Sequence, residues 1–375
     1  MSFNLDEYLS DLRYLVNIDS GRGCPEGALG VARFFEERYR ALGLATEIRY
    51  DGEDRESPFF TASNRTGGRF DLLLAAHMDT VFPAGTAKAR PFSIDEEGRG
   101  RGPGIIDCKG GCLLIYYILR DLLAEGRANF SFCVAMNSDE ETGSLRSRAF
   151  FEELADRSDR CFLFEPGRAR GEFVSRRKGG NNYTVSCKGI PAHSGVDPEK
   201  GASAILELSR WIPILYGKFF RPADDVIINV GKFTGGGDGG AVPDRASFTV
   251  SMRAMSREDI EEADSFIKSM PEHPFDPRCK ITVESRPSRP VMTPDDRANR
   301  LISVFEAAGL ELGQPVEMIS TGGGSDGNFI SARGCPVVDG CGPCGTHLHT
   351  ADEYLDIPSV AKRYALMKNI INRLF

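Results

Sequence analysis

Three short apolar runs in the first half of the chain each stop on a histidine or a carboxylate. FDLLLAA, residues 70–76, runs into His77 and Asp79. FSFCVAM, residues 130–136, runs into the NSDEETGS stretch that carries Asp139, Glu140 and Glu141, and CFLF, residues 161–164, runs into Glu165. Apolar runs this short read as buried strands. The segments between them, 108–126 and the stretch near 146–154, have helical apolar spacing. Short buried strands alternating with helices specify a mainly parallel sheet covered on both faces. Such a sheet presents its ligand-binding edge beyond the carboxyl ends of its strands. The expected core is therefore a three-layer α/β/α domain with a mixed, mainly parallel sheet, and three of its strands deliver polar groups to one edge. A carboxylate at the end of a buried strand must be hydrated, paired or bound to a cation.

Helical spacing also marks residues 5–16, where Leu5, Tyr8, Leu9, Leu12, Leu15 and Val16 share a face, and residues 28–42, with Gly43 as a cap. The pattern changes in the middle of the chain. NNYTVSCKG and ASFTVSMRAMS alternate apolar and polar residues, as half-exposed antiparallel strands do. Helical segments at 202–216 and 257–269 separate the strand candidates. This predicts a smaller α+β domain of ferredoxin-like type inserted over residues 179–288, with residues 1–178 and 289–375 forming one discontinuous catalytic domain. After the insert come helix 297–308, strand CPVVDG and a final helix from Pro358.

Net charge of −8 and a pI near 5.4 argue against nucleic acid or an anionic membrane as the main partner. No run of about 18 apolar residues could span a bilayer. The first twenty residues lack both the basic front and the continuous apolar stretch of a signal peptide, so the expected location is cytoplasmic. The ten cysteines lack small-scaffold spacing and are read as reduced and buried. CGPC at 341–344 matches a redox string but lacks the helix-opening context of one, and a structural zinc on Cys341, Cys344 and nearby histidines is the competing reading.

Histidine and carboxylates are suitable ligands for zinc or a similar divalent ion. His77 and Asp79 are two apart, so on an extended segment they share a face and the aspartate can hold the imidazole ring. Glu140 and Glu141 are adjacent and must point differently, so one can bind metal while the other handles a proton. Asp107, in the glycine-rich bend GPGIIDCKGG, is a candidate to bridge two ions.

AAHMDTV, GPGIIDCKGG, NSDEETGS, FLFEPG, GIPAHSG, TGGGSDG and HTADEYLDIP occur in this order across nearly the whole chain. Together they resemble the di-zinc amidohydrolase and exopeptidase family of glutamate carboxypeptidase, acetylornithine deacetylase, succinyl-diaminopimelate desuccinylase and aminoacylase. GPG, DEETGS and TGGGSDG place it nearest the glutamate carboxypeptidase branch. The resemblance implies two zinc ions per subunit, with cobalt or manganese as alternatives. It makes His77, Glu165, Glu141 and His349 ligands, Asp107 the bridge, Glu140 the general base and acid, and Asp79 the support behind His77. His349 fits the family's His-x-x-x-Glu pattern with Glu353; His347 does not, which also removes the best ligand from a zinc site at the cysteines.

In the insert, the resemblance assigns His193 of PAHSG to the scissile carbonyl, often reached from a partner subunit, and so implies a homodimer through the lid domain. Arg253 matches a residue near substrate, and Arg289 one that receives a substrate carboxylate, a task suited to a guanidinium fork. The substrate implied is a small peptide or an N-acyl amino acid. Two positions depart from the family: Gly240 stands where an asparagine is common, and Cys108 stands where glutamate carboxypeptidase has an acid. The strings TGGGSDG and GGGDGG lack the Gly-Lys-Ser/Thr ending of phosphate loops and are read as sites of close backbone approach.

Overall fold

The computed structural model describes residues 3–52, 55–237 and 239–375. The chain forms two compact units. The first comprises Met1–Arg176, Thr293–Thr321 and Ser325–Phe375; the second comprises Arg177–Met292 with Gly322–Gly324.

The first unit is built on a six-stranded sheet. Its spatial order is Ala45–Tyr50, Pro58–Ser63, Phe132–Asn137, Leu72–His77, Cys161–Leu163 and Val337–Val338. The last four strands run parallel, and the first two complete the sheet by antiparallel pairing. The central strand Leu72–His77 is buried along its whole length, as expected of a strand covered on both faces. Leu72, Leu74 and Ala76 join Phe132, Val134 and Met136 in one large core with helices Leu5–Val16, Pro25–Ala41, Gly111–Ala124 and Ile357–Leu374. Leu73, Ala75, Cys133 and Ala135 are equally buried on the opposite face. On that side Arg148–Asp156 packs on Asp326–Ala332, which contacts the two outer parallel strands.

The register aligns the strand exits: His77 pairs with Asn137, and Ala75 with Leu163. A small four-stranded sheet then orders Gly345–Thr346, Tyr354–Leu355, Gly100–Arg101 and Ser93–Ile94. Leu355 pairs with both Gly345 and Gly100, so the loop carrying His349 and the bend carrying Asp107 spring from one ladder.

The helix expected over 108–126 begins later, at Gly111. Residues Ile105–Gly110 form a wide irregular turn because Asp107 and Cys108 leave helical geometry, with φ/ψ of −115°/88° and −130°/18°. The peptide between them is cis. Gly104 enters this turn at φ +68°, and a Cβ there would lie 2.3 Å from Thr80 Cγ2, so only glycine fits.

In the second unit, strands Gly179–Lys188, Ile227–Gly235, Arg245–Ala254 and Lys280–Pro287 form an antiparallel sheet, with the first strand paired to the third and fourth and the second to the third. With helices Ala204–Phe219 and Arg257–Ser269, the chain order is β-α-β-β-α-β, the ferredoxin-like arrangement. Its own core gathers Tyr183, Val185, Leu208, Leu215, Phe248 and Ile267.

Candidate metal centre

His77 closes its strand and is 1% exposed. Its Nδ1 lies 3.1 Å from the Asp79 carbonyl oxygen and 3.3 Å from Asp79 Oδ1. Its Nε2 lies 2.9 Å from Asp107 Oδ1 and 3.7 Å from Glu165 Oε1. The other oxygen of Asp107, Oδ2, is 3.2 Å from His349 Nε2, and that nitrogen is also 3.2 Å from Glu141 Oε2. Asp107 thus divides its two oxygens between a His77–Glu165 set and a His349–Glu141 set.

Asp79 serves two neighbours. Besides facing His77, its carboxylate accepts the backbone N–H of Glu140 at 3.2 Å and of Glu141 at 3.0 Å. One side chain therefore fixes the ring on one strand exit and the acidic loop on the next. Asp139, the first acid of NSDEETGS, accepts the backbone N–H groups of Arg146 and Ser147, a structural role. His349 sits at φ +63°, a left-handed conformation uncommon outside glycine that concentrates at functional sites.

The electrostatics show a site that calls for positive charge. Burial pushes Glu165 well above the carboxylate range and also raises Glu141. Burial disfavours charge on His77 too, but the charge of Glu165 and hydrogen bonds to Asp107 and Asp79 outweigh it and hold the imidazole well above its usual value. Hydrogen bonds to Asp107 and Glu141 push His349 up to about 10. Asp107 resists burial and stays below the usual carboxylate range through its bonds to both histidines. Two imidazoles face the crowded buried carboxylates here, and a divalent cation would supply the positive charge that such a set favours. Glu141 Oε1 and Glu165 Oε1 are buried without a hydrogen-bond partner, a condition that a bound ion would relieve. Ligand atoms of His77, Asp107 and Glu141 lie within 4.8 Å of one another. The donor set fits a hard or borderline divalent metal.

A family model described as peptidase family M20/M25/M40 matches residues 73–373. The chain belongs to this family. It is similar to carboxypeptidase G2 of Pseudomonas sp. strain RS-16, with 28% identity over 375 residues covering 97% of this chain and 88% of that protein. It is similar to the succinyl-diaminopimelate desuccinylase of Cupriavidus taiwanensis, with 25% identity covering 92% and 94%. The crystal structure of a Staphylococcus aureus tripeptidase superposes with a TM-score of 0.82 at 21% identity, covering 100% of this chain and 99% of that one. Membership makes the chain a hydrolase of metallopeptidase type. No helix among the described residues is long and apolar enough to cross a membrane.

Two features of this M20/M25/M40 chain escaped sequence reasoning. Glu353, 1% exposed, accepts the backbone N–H groups of Gly104, Ile106 and Asp107 and so clamps the bend that aims Asp107. Its spacing from His349 was visible, but its partners were not. Asp326 of TGGGSDG accepts Asn137 Nδ2 at 2.9 Å and the Ser144 hydroxyl, gripping both ends of the acidic loop. All ten cysteines are free, and all but Cys24 are buried, Cys341 and Cys344 included. His347 is exposed and lies against Tyr354.

The remaining three candidates lie in the second unit. His193 is exposed, and its Nδ1 accepts the Gly195 N–H at 3.1 Å. The next residue, Ser194, donates its N–H to the carbonyl of Gly240, so that glycine works here through its backbone. Arg253 is half-buried with Nη1 3.5 Å from Ser288 Oγ, and Arg289 is buried. Burial lowers the Arg253 pKa and the Arg289 charge lowers it further, so two guanidinium groups share one neighbourhood. A Cβ at Gly324 would lie 2.5 Å from Arg289 Cδ.

Proposed function

We propose that this chain is a two-metal hydrolase that cleaves an amide or peptide bond next to a free carboxylate, in the manner of a glutamate carboxypeptidase. The observation that carries the reading is Asp107, whose Oδ1 faces His77 and whose Oδ2 faces His349, as a carboxylate shared by two ions must. His77, Asp107 and Glu165 would hold one ion; His349, Asp107 and Glu141 would hold the other. Zinc, cobalt or manganese bound there would lower the pKa of a shared water and polarise the scissile carbonyl. Glu140 is the proton carrier: it takes the proton of the attacking water and returns it to the leaving amine. Its backbone N–H is accepted by Asp79 at 3.2 Å, the same carboxylate that accepts the N–H of Glu141, which supports this role. His193 stabilises the oxyanion, Arg289 receives the substrate carboxylate, and Arg253 lies near the substrate. The insert acts as a lid and as the surface of a homodimer. A second reading, an N-acyl-amino-acid deacylase, is favoured by the desuccinylase likeness and uses the same machinery.

Glu140→Ala should abolish turnover while two metals per chain remain by elemental analysis. Substantial activity in that variant would remove Glu140 from its role. A screen of metal-loaded protein against dipeptides, folyl-type glutamates and N-acyl amino acids, scored for released amine, separates peptidase from deacylase.

A further inference from the structure

Cys108 follows Asp107 in the bend and is fully buried. Its Sγ, a ring nitrogen of His77 and a carboxylate oxygen of Glu165 all lie within 4.8 Å of one another. Three atoms so placed can share a centre at most about 2.8 Å from each (4.8 Å divided by √3), about 0.5 Å outside a zinc–sulfur bond and about 0.7 Å outside a zinc–nitrogen bond, a gap that small side-chain shifts can close. Glu165 Oε1 is buried with no hydrogen-bond partner. The Cys108 thiol donates to the Phe164 carbonyl oxygen at 3.0 Å, on the residue before Glu165. Cys112, one turn further along, instead donates to the His77 carbonyl oxygen at 3.0 Å. It does not belong to the donor triad and serves as an internal control.

We propose that Cys108 is a sulfur donor to the ion that His77 and Glu165 would hold, so that this centre is mixed nitrogen, oxygen and sulfur. The inference rests on the two-metal reading of the same site and deepens it. On ligation the S–H proton passes to solvent, and a metal–sulfur bond replaces the S–H bond and its hydrogen bond to Phe164. No electron is transferred. A soft thiolate biases the site toward zinc and away from manganese, which prefers oxygen donors.

The test is anaerobic titration of metal-free protein with cobalt(II), followed by absorption, for the wild type, Cys108→Ser and Cys112→Ser. The wild type should show visible bands of bound cobalt together with a near-ultraviolet thiolate-to-cobalt charge-transfer band. Cys112→Ser should keep that band. Cys108→Ser should still bind cobalt, lose the band, and lose zinc-over-manganese preference by on the order of tenfold or more. Bound cobalt without the band in the wild type, or a band that survives in Cys108→Ser, overturns the inference and leaves the two-metal reading standing. Failure to bind cobalt at all overturns both. Should Cys108→Ser not fold, X-ray absorption on the zinc-loaded wild type decides: a sulfur shell near ~2.3 Å supports Cys108, and nitrogen and oxygen scatterers alone overturn it.

Discussion

Replacing Glu353 by alanine tests how the bend around Asp107 is held. The carboxylate is 1% exposed and uses both oxygens: Oε2 accepts Gly104 N–H at 3.0 Å, while Oε1 accepts Ile106 N–H at 3.0 Å and Asp107 N–H at 3.2 Å. Each buried N–H left without an acceptor costs about 1–3 kcal/mol. Because neighbouring losses are not additive, the expected destabilisation is about 3–5 kcal/mol, at the severe end for one substitution. Lys109, also buried, would lose a nearby negative charge. Glu353→Gln grades the effect. Its one carbonyl oxygen can keep Ile106 and Asp107, but its amide nitrogen would face the Gly104 N–H donor to donor, which predicts a loss of about 1–3 kcal/mol. Urea unfolding of the metal-free proteins, followed by far-ultraviolet circular dichroism, should rank wild type above Gln and Gln above Ala. Zinc affinity should fall about tenfold to a hundredfold in Glu353→Ala, since the residue orients a ligand without touching the ion. If both variants unfold within about 0.5 kcal/mol of the wild type, the clamp is not what holds this bend.

Two further perturbations probe the scaffold. Asp326→Ala removes the acceptor shared by Asn137 and Ser144 and should cost about 2 kcal/mol or more in urea unfolding; loss only of activity, with no change in stability, would contradict a structural grip on the acidic loop. Asp71 accepts the N–H and hydroxyl of Ser131, both at 2.7 Å, and these bonds hold its pKa below the usual aspartate value. Its ionised form therefore stabilises the fold above the unfolded-state pKa, and that contribution fades as pH falls through the lower folded value. Asp71→Asn should cost about 1 kcal/mol at pH 7 and progressively less toward pH 3; a cost independent of pH would refute this.

Much of the architecture is written locally. Runs such as Leu72–His77 and Phe132–Asn137 are short, apolar and abruptly ended, and the period of the intervening segments is helical, so strand, helix and sheet class follow from neighbours in sequence. The ferredoxin-like order of the second unit follows in the same way from alternation in Gly179–Lys188 and Arg245–Ala254. The helix expected from Cys108 starts instead at Gly111, where backbone geometry bends around Asp107, and no local propensity signals that detour.

The sequence by itself determined which residue types stand at the strand exits, because the identity and spacing of His77, Asp79, Glu140, Glu141 and Glu165 belong to the chain alone. Only the tertiary structure decided how they divide the work. Asp79 supports both His77 and the backbone of Glu140 and Glu141 across two parallel strands. Asp107 turns one oxygen toward His77 and the other toward His349, 242 residues further along. Glu353 and Asp326 grip loops from which they are separated by well over a hundred residues. Periodicity is a property of neighbours, whereas satisfying a buried donor or placing a shared carboxylate depends on segments that meet only when the sheet assembles.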